Sequence, residues 1–389
     1  MLRYVKWYVM IALAVSLVIY SIYLIGRNKD DTNPSQKTYT ASEQLQSSDS
    51  SDSESSSDSN SQNSESAESS ESKTDSDSSS ENNAQAKDMS ITFNFVGDCT
   101  LGNYCGEYTP QRFCETADRV PPEYFFDGVR DILEKGTFNI TNCEGVFTDR
   151  PLEEIYKDYD PAFWFKSAAK NAQIFSVNGF QAVGIDNNHI GDYGEEGIED
   201  TKKALEKYGV KWCDMYNPVV LEKDGIKIAL FCFSMWNEGV PEIICDQIKE
   251  YSETTDIQIA FYHGGTENVH EPDAYKFDYT HKFVDAGADL VVGSHPHVLQ
   301  PLEVYNGVNI LYSLGNFVYG GHTNPENRTI VYTQTFNMEN KKIKSTVNKI
   351  TPCYIFTGDI NEFQPVPIED EDVRQRVLDF MNWELDSPL

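Results

Sequence analysis

From residue 47 to residue 83 the chain reads SSDSSDSESSSDSNSQNSESAESSESKTDSDSSSENN. This run separates what can fold from what cannot. It carries hydroxyls and carboxylates with no apolar period, so it has nothing to bury against the entropy of ordering a chain. Its like charges make residues 27–89 an extended, disordered linker. Any globular core is therefore confined to residues from about Ser90 onward. A serine-rich acidic run is also a phosphorylation substrate when intracellular, and that is the competing reading of the linker.

On the other side of the linker the chain opens MLRYVKWYVMIALAVSLVIYSIYLIGRNKDD, with no charge from Trp7 to Ile25. About 20 apolar residues suffice to cross a bilayer as a helix. Trp7, Tyr8, Tyr20 and Tyr23 stand near its ends, where interfacial aromatics belong. No small-x-small cleavage pattern follows, so the expectation is an uncleaved anchor over residues 7–26 with a short cytoplasmic N-terminus, 1–6. A tether that looks extracellular follows the span. The expected location is thus the cell membrane, single-pass, with the folded part extracytoplasmic.

The formal net charge is −31. A field of that sign opposes nucleic acid and anionic membrane surfaces as partners reached by charge attraction. A phosphate-binding site in such a chain needs cations of its own, and metal ions would supply them. The eight cysteines follow no C-x-x-C spacing. An outside location permits disulfides, Cys105 with Cys114 among them, but the spacing does not fix a pairing.

Within the folded part, strand and helix patterns alternate. SITFNFVGD, GTFNITNCEG, NGFQAVGIDNNH, GIKIALFCF, IQIAFYHGG, ADLVVGSHPH and GVNILYSLGNFVY read as strands. EEGIEDTKKALEKYG and DYTHKFVDAG read as helices, and the tail IEDEDVRQRVLDFMNWEL as a terminal amphipathic helix packed on the domain, 366–389. This alternation predicts an α/β fold with helices on the sheet faces over residues 90–365.

The polar residues that follow five of these strands form an ordered set: Asp98, Glu144, Asn188 with His189, His263, and His295 with His297. In open α/β sheets the carboxyl ends of strands form the rim where sites are built. Taken singly, each has an ordinary role. Gly97-Asp98 is a common turn, Glu144 a solvated turn residue, the Asn pair a helix cap, and His263 a rim histidine. Taken together they supply oxygen and imidazole donors suited to Mn, Fe or Zn. Six ligands exceed one four-coordinate ion and suit two divalent ions about 3.5–4 Å apart. Such a pair activates water near neutral pH and clamps phosphoester oxygens, and a separate histidine can protonate the leaving oxygen. Asp192 and Glu267 are placed to orient ligands by hydrogen bonds. His270, His281 and His322 lack a strand-end position.

The motifs FVGDCTLG, NCEG, DNNHIGDYGEEGIEDT, YHGGTE, GADLVVGSHPHVLQ and YSLGNFVY together resemble, in this order, the CapA family of poly-gamma-glutamate capsule proteins, within the calcineurin-like metallophosphatase superfamily. The resemblance implies a four-layer α/β/β/α sandwich with a two-metal site at the sheet edge. It implies metal ligation by Asp98, Glu144, Asn188, His263, His295 and His297, with His189 as the catalytic histidine. Two departures stand out. The superfamily's Asp-x-His is here Asp98-Cys99-Thr100, and Glu144 stands where Asp is usual. One metal position is then expected to be weaker.

Three functions follow as alternatives. One is a surface phosphoesterase with a phosphoester substrate. The second is a non-catalytic subunit of capsule machinery, with other synthesis or export proteins and polyglutamate as partners. The third is a nuclease, which the net charge opposes.

Overall fold

The computed structural model describes residues 89–104, 112–159, 161–237, 239–319, 327–358 and 360–389. The expected anchor, the expected linker up to residue 88, Cys105 and His322 lie outside the described residues; Met89, expected to close the linker, opens a strand instead. Among the described residues no helix is long and apolar enough to cross a membrane.

The fold is mixed α/β. Its strands run β1 (Met89–Val96), β2 (Asn103–Tyr104), β3 (Phe138–Asn142), β4 (Val146–Phe147), β5 (Phe165–Ser167), β6 (Phe180–Gly184), β7 (Lys211–Cys213) and β8 (Val219–Lys223). They continue as β9 (Ile226–Ser234), β10 (Ile257–His263), β11 (Leu290–Ser294), β12 (Leu299–Tyr305), β13 (Val308–Leu314), β14 (Thr329–Glu339), β15 (Lys342–Tyr354) and β16 (Val366–Pro367). The longer helices are α1 (Gly194–Lys207), α2 (Val240–Ser252), α3 (Ala274–Ala286) and α4 (Glu371–Met381).

One sheet has the order β16-β15-β14-β1-β3-β6-β7 and another β12-β13-β11-β10-β9-β8; β2, β5 and β4 form a small third sheet. In the first, β1, β3, β6 and β7 are parallel. In the second, β9, β10, β11 and β13 are parallel. Antiparallel strands extend the first parallel centre on one side and flank the second on both.

The parallel strands are apolar on both faces because both faces are covered. Strand β9 shows this. Ile228, Leu230 and Cys232 join Phe93, Phe95 and Ile140 of the first sheet in one core. The alternate residues Ala229, Phe231 and Phe233 pack with Ile244 and Ile248 of α2 and Phe283 of α3. On the far side of the first sheet, Val96 and Val183 pack with Phe125, Phe126, Phe175 and Leu205. The strand period of two thus delivers one set of side chains to the shared core and the other to the helices.

Several boundaries differ from the sequence expectation. Strand β1 begins at Met89, one residue before the expected start. Strand β3 ends at Asn142, short of Glu144, and β6 ends at Gly184, short of Asn188 and His189. The expected long strand through GVNILYSLGNFVY stops at Leu314. Gly315 takes φ +71° there, a left-handed turn that breaks the ladder. The hairpin of β14 and β15 was not legible as strands. It closes on Asn340 and Lys341, both at positive φ (53° and 63°), as a two-residue hairpin loop requires.

Candidate metal centre

The carboxyl ends of β1, β3 and β6 meet those of β9, β10, β11 and β13 at one rim. Asp98 N donates to Gly315 O at 2.9 Å, and Ser234 Oγ donates to Asp186 Oδ1 at 2.6 Å. These contacts fasten the two sheets together where the polar residues collect.

Glu144 lies at the centre. It is fully buried, and neither carboxylate oxygen has a hydrogen-bond partner. Its Oε1 is 3.6 Å from His263 Nε2, 3.7 Å from His297 Nε2 and 4.0 Å from His189 Nε2. A buried, unpaired carboxylate costs several kcal/mol on the order-of-magnitude scale for buried charges. Three imidazole nitrogens in a shell just beyond hydrogen-bond length leave room for a cation between them.

Around this oxygen the donors fall into two groups. In one, His263 Nε2 is 2.8 Å from Asn188 Oδ1 and 3.1 Å from His295 Nδ1. Glu144 Oε1 faces the same His263 nitrogen at 3.6 Å. His263 Nδ1 lies 3.0 Å from Ser294 Oγ and 3.1 Å from Asn142 Nδ2. Asn142 Nδ2 only donates, and the Ser294 hydroxyl, also 3.1 Å from Tyr262 O, can donate or accept. In the other group stand Asp98, Glu144 and His297. Asp98 is fully buried, accepts from Asn142 Nδ2 at 2.8 Å and His295 N at 3.0 Å, and lies 3.7 Å from His297 Nδ1. Donor atoms of Glu144, His295 and His297 lie within 4.8 Å of one another.

The structure therefore brings together all seven residues singled out at strand ends, though not by the expected route. Only His263 belongs to its strand. Asn188 and His189 ride on the turn before α1, four and five residues past β6. There Asn187 Oδ1 accepts from both His189 N and Ile190 N at 3.0 Å.

Asp192 and Glu267 also touch the site. Asp192 Oδ2 is 2.8 Å from His189 Nδ1 and accepts from Phe165 N at 2.8 Å; its Oδ1 pairs with Lys157 at 2.6 Å. Glu267, half exposed, is 3.9 Å from His295 Nε2. Its loop is pinned by Thr266 to Asp273 and by Asn268 N to Pro296 O.

Burial pushes the Glu144 carboxyl well above the usual range, with Asp98, Glu267 and Asp192 adding repulsion. It raises Asp98 as well, against the pull of His297. Burial drives His263 and His295 well below the ordinary imidazole value, and neighbouring imidazoles push the same way. Burial also lowers His189, against Asp192. Neutral imidazole is the ligating form, and a divalent ion would relieve the strain on both carboxylates.

Sequence reasoning missed Asn142, Lys157, Trp236, Ser294 and Asn316. Lys157 stands in an irregular segment with no pattern to mark it. Trp236, 45% exposed, sets its ring against His295 at 4.6 Å between centroids. Asn316 lay inside a quoted motif, but the strand reading hid its turn. The described cysteines, Cys99 and Cys143 beside the site included, are free. Thr100 is buried two residues past Asp98, and its N donates to Val318 O at 3.0 Å.

Buried carboxylate, amide and imidazole donors gathered where the parallel strands of two sheets end define a metallophosphatase-like domain. A family profile described as "Bacterial capsule synthesis protein PGA_cap" matches residues 92–320. That is more than half of the chain, and the chain belongs to this family. It is similar to the PGA biosynthesis protein CapA of Bacillus subtilis, 29% identical over 314 residues, covering 75% of this chain and 77% of that protein. It is similar to the capsule biosynthesis protein CapA of Bacillus anthracis, 28% identical over 261 residues, 60% of this chain and 61% of the relative. A probable polyglutamine synthesis accessory protein of Mycobacterium tuberculosis matches at 25% over 173 residues, 35% of this chain and 46% of the relative.

Proposed function

We propose that this chain serves poly-gamma-glutamate capsule synthesis as a membrane-anchored, extracytoplasmic component. In this reading its domain is a four-layer α/β/β/α metallophosphatase-type sandwich with a two-ion phosphoesterase site. The observation that carries the site is Glu144, a fully buried carboxylate with both oxygens unpartnered and three imidazole Nε2 atoms within 4.0 Å. The capsule role rests on family membership and on the names of the two Bacillus relatives. The anchor rests on the apolar run Trp7–Ile25.

The donors present fit divalent ions of the Mn, Fe or Zn type. Asn188, His263, His295 and Glu144 would hold one; Asp98, His297 and Glu144 would hold the other. Bound ions supply Lewis-acid polarisation of a phosphoryl oxygen and neutralise charge in the dry site. The chain's own residues do the rest. Asp192 Oδ2 accepts from His189 Nδ1, so Nε2 faces the site; as the imidazolium, the ring would give its Nε2 proton to a leaving oxygen and return to the neutral form. Phe165, with its ring centroid 4.6 Å from that of His189, limits water there.

The test is turnover of chromogenic phosphomonoesters and diesters by the full chain loaded with Mn²⁺. His189→Ala should retain metal and lose about 10²–10⁴-fold in rate. Metal without turnover across a broad panel would overturn the enzymatic half. It would leave a second reading, a capsule subunit whose metal site has no turnover. The Asp98 group, whose single imidazole is His297, favours that reading. It predicts polymer production that survives His189→Ala.

A further inference from the structure

The motif YSLGNFVY, Tyr312 to Tyr319, packs directly against the site. Strand β13 stops at Leu314, and Gly315 turns the chain at φ +71°. The turn then grips Asp98 from both sides: Asp98 N donates to Gly315 O at 2.9 Å, and Phe317 N donates to Asp98 O at 2.8 Å. Asp98 and Asn316 are thereby registered as a bridged pair. Gly97 permits this approach, because a Cβ there would sit 2.0 Å from Gly315 O.

The Asn316 side chain is buried and spends both ends on one partner. Its Oδ1 is 2.8 Å from His297 Nδ1, and its Nδ2 donates to His297 O at 3.3 Å. The carbonyl fixes which way the amide faces, since a flipped amide would set oxygen against oxygen. An amide oxygen only accepts, so His297 Nδ1 carries the proton. The Nε2 lone pair then points toward Glu144 Oε1, 3.7 Å away. Asp98 Oδ2, at 3.7 Å from the same Nδ1, is too far to do this work. His297 itself stands at φ 60°, so its ring is not placed by relaxed backbone. The Asp98 group has one imidazole where its neighbour group has two, and it depends on that ring alone.

We propose that Asn316 is the positioning residue of the poorer metal position. It sets the tautomer and tilt of His297, so the ion held by Asp98, Glu144 and His297 depends on it. The ion held by Asn188, His263 and His295 does not. This inference rests on the two-ion reading above.

The experiment is titration of the EDTA-stripped full chain with Mn²⁺, read by calorimetry and by metal content after dialysis. Asn316→Leu removes the acceptor at similar size; Asn316→Asp keeps the oxygen that faces Nδ1 and, with its buried carboxyl protonated on the other oxygen, still donates to His297 O. The expected result is two binding events in the parent chain. In Asn316→Leu the weaker event loses about 10–100-fold in affinity and the tighter one is unchanged, while Asn316→Asp restores most of the loss. In a His297→Ala background, Asn316→Leu should add nothing. Both events unchanged in Asn316→Leu would overturn this proposal and leave the two-ion reading standing. Equal loss of both events without rescue by Asn316→Asp would overturn it too. No binding by the parent chain would overturn the two-ion reading, and this proposal with it.

Discussion

His295 and His297 stand at φ 97° and 60° on either side of Pro296. Positive φ costs a residue with a Cβ about 1 kcal/mol or more, and such strain persists only where the surroundings over-determine it. Here the surroundings are named: His295 N donates to Asp98 Oδ2, and Asn316 holds both the ring and the carbonyl of His297. The strain is local to the backbone, so it separates from the imidazole's chemistry. In metal-free protein, His297→Gly should be more stable than His297→Ala by about 1 kcal/mol, although both lose the same ring. Urea denaturation of the two variants checks this, and equal midpoints would show that the loop is unstrained.

At the scale of elements, the site was legible as a list of residues and only partly as geometry. Strands β10 and β11 were read correctly because they are short apolar runs ended by Gly or His, buried on both faces. Their ends gave His263, His295 and His297. Asn188 and His189 were legible by type but misplaced, since the sequence pattern has no mark for where β6 stops and the Asn187-capped turn begins. Asn316 was hidden because Gly315 sits in an otherwise unbroken strand pattern. Strands β14 and β15 went unread, although β14 alternates with Tyr332, Gln334, Phe336 and Met338 buried; β15 is exposed and mostly polar from Lys344 to Lys349.

The terminal helix was legible from its apolar spacing, with Val377, Phe380 and Met381 buried in the shared core. Its start is set by Asp370, whose side chain accepts from Asp372 N and Val373 N at 3.1 Å. Asp370→Ala should therefore cost about 1 kcal/mol, seen as a lower thermal midpoint with the site's metal binding unaltered. Loss of metal with the cap would contradict the independence of helix and site.

For the whole molecule, the site's own titrations oppose one another across the same pH range: burial pushes Asp98 and Glu144 up and His189, His263 and His295 down. Asp289, at the opposite end of β11 from the site, isolates one sign. Burial raises its carboxyl from 3.8 to about 6, and its Oδ2 accepts from Gln258 N at 2.8 Å. A raised acid binds its proton more tightly when folded, so its contribution is full below about pH 4 and is lost as pH rises through about 6. Asp289→Asn keeps an acceptor and removes the titration. The variant should match the parent near pH 4 and exceed it at pH 8, by up to ~3 kcal/mol. Parallel stability curves would show that Asp289 does not titrate in this way.

The central claim is that the buried rim of the two sheets is a metal centre built on Glu144. Anomalous diffraction from crystals of Mn²⁺- or Zn²⁺-loaded protein, recorded at the metal edge, tests it most directly. A peak is expected about 2.0–2.3 Å from Glu144, Asn188, His263 and His295, with a second, weaker peak beside Asp98 and His297. Loaded crystals with no anomalous peak at Glu144, or with metal only elsewhere on the acidic surface, would contradict it.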